Sequence, residues 1–326
     1  MDKIKWGIIG CGDVTEVKSG PAFQKISNSE LIAVMRRDAA KAADYSKRHN
    51  VPNWYANADL LINDPGVNAI YVATPPSTHA LYAKKAIAAG KPVYIEKPMA
   101  LTYAECVEVN EMAAKKNVPV FVAYYRRKLP GFIKVKELIE SGDIGEVRMV
   151  NLQLFKHFEV DAENLPWRVD PKIAGGGHFY DLASHQFDYL DYLFGPINEI
   201  ASVVANQAKL YKAEDILSVA FQFETGIVGN GCWCFNSSSV NERDVIEVIG
   251  TKGRIEFSTF DFVPVKLITE NKTEEFDFQK PEHVQFNLIE QIVADLRGED
   301  SAVSTGLSGA RTNKVLEEIV KKYYSK

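Results

Sequence analysis

Residues 4–15 read IKWGIIGCGDVT, an apolar run that ends in a Gly-x-Gly turn. In a strand-turn-helix unit that binds a dinucleotide, Gly10 permits the tight turn and Gly12 lets the backbone approach a pyrophosphate at a helix N-terminus. Asp13 and Val14 complete the turn. The stretch therefore predicts a first strand and a cofactor-binding turn whose contacts come from Gly10, Gly12, Asp13 and Val14.

Two residues depart from the usual form of this turn. Thr15 stands where the fingerprint has its third glycine, and Pro21 follows shortly after it. Because proline favours the first position of a helix, Pro21 predicts a helix that starts late and a loop that is longer than usual.

The first 123 residues alternate between short apolar runs and amphipathic stretches. Apolar runs that predict strands lie at 4–10, 31–35, 69–73, 93–95 and 118–123. Stretches with apolar residues at three-to-four spacing predict helices at 38–49, 77–89 and 102–116. Short buried strands that alternate with helices are typical of a doubly wound parallel sheet, so this half predicts an α/β Rossmann domain.

The second of these strands ends in Arg36, Arg37 and Asp38. A carboxylate at the strand end would accept hydrogen bonds from the adenosine ribose of NAD, whereas a guanidinium pairs with the 2′-phosphate of NADP. Arg36 and Arg37 are therefore predicted to bind the cofactor, with NADP favoured and NAD as the second choice. The alternative is that both arginines are solvated and that Asp38 is the N-cap of the next helix.

Two further strands end in residues that suit a ligand site. Thr74 and Pro75 follow one strand, with His79 in the first turn of the next helix, and Glu96 and Lys97 follow the next strand. Ligands bind at the carboxyl edge of open parallel sheets, so these five residues are predicted cofactor contacts. A cation is disfavoured at a helix N-terminus, which predicts a neutral His79 in contact with cofactor or loop. The alternatives are a structural His79 and solvated loop charges at Glu96 and Lys97.

A different pattern follows Pro130. A helix is predicted at 132–140, and longer alternating runs predict strands at 147–155, 199–207, 216–224, 226–235, 243–250 and 253–258. Closely spaced alternating strands with short turns form antiparallel sheets. The predicted architecture is a Rossmann domain at 1–123, which binds the cofactor, followed by an α+β domain at 124–326 with a mainly antiparallel sheet.

A glycine run, 175–177, precedes a second candidate site. Asp181 and His185 are four residues apart, so on a helix they project from one face. A carboxylate that orients an imidazole prepares a general base. The alternatives are an Asp-His pair that satisfies itself in a core and a metal site formed with His178; no further ligand is evident, so no metal is predicted.

Together these motifs resemble the Gfo/Idh/MocA family, the relatives of glucose-fructose oxidoreductase and inositol dehydrogenase, over nearly the whole chain. The resemblance rests on Gly10-x-Gly12, Thr74-Pro75-Pro76 with His79, the stretch 89–98 that ends in Glu96-Lys97-Pro98, Trp167-Arg168, and Gly175-Gly176-Gly177 with Asp181 and His185. Ala183 and Ser184 replace a Gly-apolar pair that is common in the family, and His178 stands at a position often small or apolar. These departures leave the reaction class intact and put the substrate pocket in doubt.

The resemblance implies an N-terminal Rossmann domain, a C-terminal open-faced sheet, a tightly held NAD(P) and sugar-like or cyclitol-like substrates. It also implies that Lys97, Asp181 and His185 carry the chemistry, the interconversion of a secondary alcohol and a carbonyl. It further implies that the α+β domain at 124–326 serves substrate binding and oligomerisation. Trp167 and Arg168 are predicted to close the pocket beside the cofactor; the alternative is that they only pack and pair at the surface. Family members often associate through the C-terminal sheet, which predicts a homodimer or homotetramer.

Two other functions stay open. One is an NAD-dependent glycoside hydrolase that oxidises its substrate transiently, and the other is a catalytically silent cofactor-sensing regulator. Retention of Lys97 with Asp181 and His185 argues against the regulator, because a sensor needs no acid-base group beside the nicotinamide.

Composition excludes other classes of partner. The formal net charge is -5, and no stretch concentrates Lys and Arg with interleaved aromatics, so no nucleic-acid partner is predicted. No apolar run approaches the ~20 residues of a membrane span, which predicts a cytoplasmic protein without a membrane partner. Four scattered cysteines do not suit a disulfide framework, and Cys232 and Cys234 are expected to be packing residues.

Overall fold

The computed structural model describes residues 1–161 and 163–325. These residues form two compact units: unit 1 holds 1–125 and 281–313, and unit 2 holds the described residues of 126–280 and 314–325. The predicted domain boundary at 123/124 placed residues 281–313 in the second domain, whereas in the structure they belong to unit 1. The assignment of a cofactor role and a substrate role to separate domains stays a prediction.

Unit 1 is built on a parallel sheet of six strands, in the order β3-β2-β1-β4-β5-β6. The strands are β1 Ile4–Ile9, β2 Ser29–Met35, β3 Asn53–Tyr55, β4 Ala69–Val72, β5 Val93–Ile95 and β6 Val120–Val122. The order reverses between β1 and β4, which is the switch point of a doubly wound sheet. The predicted Rossmann architecture is confirmed, although β3 was missed because it is short and partly exposed.

Helices cover this sheet. The first six are α1 Asp13–Val17, α2 Ala22–Lys25, α3 Ala39–Arg48, α4 Ala58–Ile62, α5 His79–Ala88 and α6 Tyr103–Lys116. α6 shows how closely local chemistry sets these limits: Thr102 and Glu105 form a capping box at its start, and Asn117 ends it in the left-handed region at φ 52°. The predicted helices are present within two residues of their expected ends, whereas α4 was not predicted.

The helix after the nucleotide turn does not start late, as Pro21 had suggested. α1 begins at Asp13, directly after the turn, and the chain then breaks before α2, for which Pro21 is the N-cap. The start is early because the Thr15 hydroxyl accepts from Gly12 N at 3.0 Å and donates to Gly12 O at 2.8 Å, which stabilises the first turn of α1. Pro21 therefore marks the second of two short helices.

Unit 2 contains a sheet of eight strands in the order β14-β13-β12-β11-β7-β10-β9-β8. The strands are β7 Val147–Phe155, β8 Ile197–Ala205, β9 Ile216–Phe223, β10 Val228–Cys234, β11 Arg243–Gly250, β12 Gly253–Phe257, β13 Val265–Thr269 and β14 Thr273–Phe276. Neighbouring strands pair antiparallel except β7 and β10, which are parallel. The prediction of a mainly antiparallel sheet is confirmed; it did not include this parallel pair or the last two strands.

Three helices belong to the first part of unit 2: α7 Pro130–Glu140, α8 Pro171–Ala174 and α9 His178–Phe194. α9 packs on one face of the sheet, where the ring of Phe187 lies 5.6 Å from Phe221 of β9 and 5.5 Å from Trp233 of β10. On the opposite face, Ser218 and Cys232 are exposed. The sheet therefore has one covered face and one open face.

The segment 281–313 returns to the Rossmann sheet and brings α10, Phe286–Arg297, and the start of α11, Gly306–Tyr324. Leu288 and Ile292 of α10 are fully buried. Ser304 Oγ donates to Val122 O at 2.7 Å, at the edge strand β6. Apolar burial and edge pairing thus hold in unit 1 a segment that the sequence pattern assigned to the second domain.

None of the helices in the described part of the chain is long and apolar enough to cross a membrane.

Candidate active site

The turn after β1 lies against the end of β4. Gly10 has φ +93°, and a Cβ there would approach Thr74 Cγ2 to 2.7 Å and Thr74 N to 2.9 Å, so only glycine fits. At Gly12 the backbone is extended, and a Cβ would meet no described atom beyond its chain neighbours closer than Gly10 O at 3.9 Å. Protein packing therefore explains Gly10 but not Gly12, and the space beside Gly12 suits close approach of a pyrophosphate.

Thr15, which stands at the position of the third glycine, packs against Gly20. Thr15 is fully buried, and its hydroxyl donates to Gly12 O at 2.8 Å. A Cβ at Gly20 would come within 2.1 Å of Thr15 O and 2.4 Å of the Tyr45 hydroxyl. Gly20 thus permits close approach of the Thr15 carbonyl and the Tyr45 hydroxyl, while the Thr15 hydroxyl stabilises the start of α1.

The three charged residues at the end of β2 have different surroundings. Arg36 Nη1 donates to Cys11 O at 3.3 Å, which ties this strand end to the nucleotide turn. Asp38 is the N-cap of α3 and accepts from Lys41 N at 3.1 Å, as the alternative interpretation had it. Arg37 is exposed. This strand end therefore does not present a free carboxylate to an adenosine ribose.

His79 is a buried bridge between two strand-end loops. Its Nε2 lies 2.6 Å from Thr74 O after β4, and its Nδ1 lies 2.9 Å from Pro98 O after β5. Burial lowers the pKa of His79, so the ring is neutral, as predicted. Its contacts are with loop carbonyls, while its predicted contact with the cofactor stays a prediction.

The Glu96 carboxylate is buried beneath the Lys97 backbone. Oε2 accepts from Lys97 N at 3.2 Å, and Oε1 accepts from Gln285 Nε2 at 2.6 Å and from the Tyr71 hydroxyl. Glu96 is 7% exposed, whereas Lys97 is half-buried. The solvated-loop interpretation is therefore wrong for Glu96, because its carboxylate is held by three donors inside unit 1.

In unit 2, a buried carboxylate supports the glycine run before α9. Glu214 is 0% exposed and accepts from Gly177 N at 2.9 Å and from the Tyr324 hydroxyl. Burial raises its pKa. A Cβ at Gly176 would come within 2.3 Å of the Tyr180 ring, and one at Gly177 within 2.8 Å of Ala213 Cβ. The glycines are thus required where α9 begins against the residues that precede β9.

Asp181 and His185 lie one turn apart on α9. Asp181 Oδ2 is 3.3 Å from Nε of Arg168, whose guanidinium lies 4.5 Å from the Trp167 ring centroid. His185 is 3% exposed, and its ring centroid is 6.1 Å from that of Phe260. Unit 2 thus groups Asp181 with Arg168 and Trp167, and α9 carries His185 one turn further into the fold.

Further along α9, a buried ion pair fixes the helix. Arg127 donates to both carboxylate oxygens of Asp188, through Nε at 2.8 Å and Nη2 at 2.6 Å. Both side chains are almost completely buried. Bidentate geometry of this kind sets orientation as well as distance, so it constrains the rotation of the helix that carries Asp181 and His185.

His178 forms part of an aromatic wall at the start of α9. Its ring stacks on Phe158 with centroids 3.8 Å apart and planes 6° apart, and Phe235 lies 5.8 Å away. Burial lowers the pKa of His178 to about 4, so the ring is neutral at physiological pH. Across 1–161 and 163–325, no group of three His, Cys, Asp or Glu side chains is arranged to hold a metal ion.

Sequence reasoning missed Gln285, Tyr71 and Glu214. Gln285 is 189 positions from Glu96, and Glu214 is 37 positions from Gly177. No local motif marks a glutamine before a helix or an acidic residue before a strand as a partner of a distant loop.

A six-stranded sheet of this order with a glycine turn at its switch point is typical of dinucleotide-binding proteins. Residues 4–124 match the oxidoreductase family with an NAD-binding Rossmann fold, and residues 132–256 match the GFO/IDH/MocA C-terminal domain. Oxidoreductase P35 from Formosa agariphila is 41% identical over 297 residues, 89% of this chain and 90% of that protein. The chain belongs to the Gfo/Idh/MocA family of oxidoreductases, and residues 4–124 belong to its NAD-binding domain.

More distant relatives also match over most of this chain. The trans-1,2-dihydrobenzene-1,2-diol dehydrogenase of Mus musculus is 28% identical over 277 residues, 84% of this chain and 80% of that enzyme. The structure of levoglucosan dehydrogenase in complex with NADH aligns over 99% of this chain and 97% of its own, with a TM-score of 0.88 at 20% identity. Aldose-aldose oxidoreductase from Caulobacter crescentus aligns over 99% and 98%, with a TM-score of 0.86 at 22% identity. At these identities the structural likeness shows the fold.

Proposed function

We propose that this protein interconverts a secondary alcohol and a carbonyl on a sugar, cyclitol or related polyol, with NADP(H) as the favoured cofactor. Membership of the oxidoreductase family is the starting point. The observation that supports the reaction most is the placing of Asp181 and His185 one turn apart on the buried helix α9, beside Arg168. The names of the diol, aldose and levoglucosan enzymes support hydroxyl-rich substrates.

Oxidation of a secondary alcohol removes a proton from oxygen and a hydride from carbon. A nicotinamide cofactor, when bound, supplies the hydride acceptor. His185 takes the hydroxyl proton as general base, while Asp181, held by Arg168, orients the reacting groups. Lys97 donates to the reacting oxygen and stabilises its alkoxide character. In the reverse direction, the same groups return the proton to a carbonyl oxygen.

The cofactor contacts that we propose lie at the carboxyl edge of the Rossmann sheet. The space beside Gly12 would accept the pyrophosphate, with Asp13 and Val14 at the start of α1. The remaining contacts are Gly10, Thr74, Pro75, His79, Glu96 and Lys97 in unit 1 and Trp167 and Arg168 in unit 2.

The preference for NADP rests on Arg37 more than on Arg36. Arg36 already donates to Cys11 O, whereas Arg37 is exposed, and Asp38 is engaged as an N-cap. A hydrogen bond to a charged group contributes about 1.5–3 kcal/mol, which is about tenfold or more in affinity. We expect Arg37→Ala to raise the KM for NADP about tenfold and to leave the KM for NAD nearly unchanged.

The control for Arg37→Ala is Lys47→Ala, which removes the same charge from an exposed position of α3. Initial rates with each cofactor give the comparison. Equal or tighter binding of NAD than NADP by the unmodified protein would contradict the arginine proposal.

The proposed reaction is tested by a screen of polyols, aldoses, ketoses and dihydrodiols with each cofactor. Production of reduced nicotinamide, in equal amount to a carbonyl product, supports the dehydrogenase. Cleavage of a glycoside with retained cofactor and no net reduced nicotinamide would instead indicate the hydrolase. Cofactor binding without turnover of any member of the screen would favour the regulator.

The open face of the unit 2 sheet is the surface that we propose for association of two or four copies. It includes a concavity of about 1060 Å³, with Val203, Ile216, Cys232 and Val245 among its lining residues. Val203 on this face is 73% exposed. A second copy would cover this face and remove its apolar side chains from water.

We expect Ala220→Arg to convert the oligomer to a monomer. Ala220 is exposed on β9 in the open face, and burial of an unpaired charge in an interface costs about 3 kcal/mol or more. The matched control is Leu81→Arg, at a position that is 49% exposed on α5 of unit 1. Sedimentation velocity measures the mass; a native monomer, or an oligomer that persists in Ala220→Arg, would show that this face is not the interface.

A further inference from the structure

The side chain of Gln285 lies fully inside unit 1, next to the loop that carries Lys97. It is 0% exposed and stands directly before α10, in the segment that returns to the Rossmann sheet. Its Nε2 donates to Glu96 Oε1 at 2.6 Å, and its Oε1 accepts from the Tyr94 hydroxyl at 2.8 Å. Both ends of the amide are therefore used, with the donor toward the carboxylate.

The Glu96 carboxylate connects Gln285 with the backbone of Lys97. Its other oxygen accepts from Lys97 N at 3.2 Å, and the Tyr71 hydroxyl donates to the oxygen that Gln285 also contacts. Tyr71 and Tyr94 are fully buried and stacked, with ring centroids 4.9 Å apart. Burial raises the pKa of both phenols well above the usual value, so both hydroxyls keep their protons and can donate.

The same segment holds the end of the helix that follows the nucleotide turn. Gln285 N donates to Lys18 O at 3.2 Å, and His283 Nδ1 lies 2.6 Å from Val17 O. α1 has only five residues, so its last carbonyls need partners from outside the helix. The returning segment thus contacts two places at once: the end of α1 and the carboxylate under Lys97.

We propose that Gln285 is a positioning residue, which fixes the Lys97 backbone through Glu96 and so aims the Lys97 side chain at the reacting oxygen. The inference rests on the proposed function, in which Lys97 donates to that oxygen. Loss of the Gln285 amide would remove one of the three donors that hold the buried Glu96 carboxylate. Because a lost hydrogen bond is costly in a buried network, Glu96 would move to replace it and Lys97 would move with it. Catalysis is sensitive to such displacements, since about 1 Å can cost about 10²-fold in rate.

The first test is Gln285→Leu, which keeps the volume and removes both hydrogen bonds. We expect kcat at saturating cofactor and substrate to fall at least about tenfold. The dissociation constant for NADPH, measured by its fluorescence, should change much less. The matched control is Gln291→Leu, a buried glutamine on α10 that contacts Asp300 and Ser301 instead. That control should keep the kcat of the unmodified protein.

The second test is Gln285→Glu, which places two carboxyl groups side by side. Like charges raise the pKa of one group, so the pair shares a proton at low pH and repels as the pH rises. The ratio of variant to unmodified kcat should therefore be close to one at the acid end and fall with increasing pH. A role confined to the fold predicts a ratio that does not change while the variant stays folded, as followed by circular dichroism.

The outcomes separate this inference from the proposed function. If Lys97→Ala keeps its activity, the proposed function fails whatever Gln285 does. If Lys97→Ala is inactive but Gln285→Leu keeps kcat, or loses only cofactor affinity, the positioning role is overturned. Should Gln285→Leu not fold, the pH-dependent ratio of Gln285→Glu decides, and a flat ratio overturns the role.

Discussion

Lys97→Ala is expected to lower kcat by about 10²-fold or more with a verified substrate, because it removes the donor that stabilises charge on the reacting oxygen. Lys97 follows β5 at the edge of the sheet where ligands of doubly wound folds bind, and its backbone is held by the buried Glu96. The fold should be preserved, since Lys97 is half-buried in a loop. Steady-state kinetics at saturating cofactor measure the loss.

Lys91→Ala is the control for this substitution. Lys91 precedes the same strand, at its opposite end, and is also half-buried, with Nζ donating to Asp64 O at 2.7 Å. Its removal should change stability slightly and leave kcat close to that of the unmodified protein. Near-normal kcat in Lys97→Ala, or equal losses in both variants, would show that Lys97 has no special part in the chemistry.

His185→Asn is expected to lower kcat by a similar factor, about 10²-fold or more, because it removes the general base. A base must be deprotonated to accept the hydroxyl proton, so alcohol oxidation by the unmodified protein should accelerate with pH on the acid side. The variant should lose this acceleration, whereas a purely structural histidine would not shape the pH profile. Rates of oxidation across the pH range give both readouts.

Ser184→Ala is the control on the same helix. Ser184 is fully buried, and its hydroxyl donates to Asp181 O within α9 at 3.0 Å. The change is small and leaves the Asp181 and His185 side chains in place, so kcat and its pH profile should persist. If His185→Asn keeps the acceleration with pH, another group is the base and the role of His185 is wrong.

Local patterns predict much of the Rossmann domain because most of its elements carry their own signals, although β3 and α4 were not predicted. Strand β1 and its turn, the Asp38 cap of α3 and the capping box of α6 are all set by residues within a few positions of one another. The Asp181 and His185 pair is also a local pattern, since helical spacing alone puts both on one face. These features follow from short-range geometry.

Features that depend on distant contacts could not be predicted in this way. The Gln285 and Glu96 pair depends on the return of a segment across most of the chain, and the parallel pairing of β7 with β10 depends on sheet assembly. The prediction from Pro21 was wrong because the Thr15 hydroxyl, bonded to the Gly12 backbone, stabilises a helix that starts before Pro21. A buried polar group needs partners, but the sequence does not state which ones.

The most direct measurement uses a polyol that the protein oxidises, labelled with deuterium on the carbinol carbon, with NADP as the oxidant. The proposed reaction predicts that deuterium appears on the nicotinamide in equal amount to the carbonyl product, and that Lys97→Ala and His185→Asn slow this transfer about 10²-fold or more. Product that forms without deuterium on the released cofactor, or transfer at an unchanged rate in both variants, would contradict the proposal.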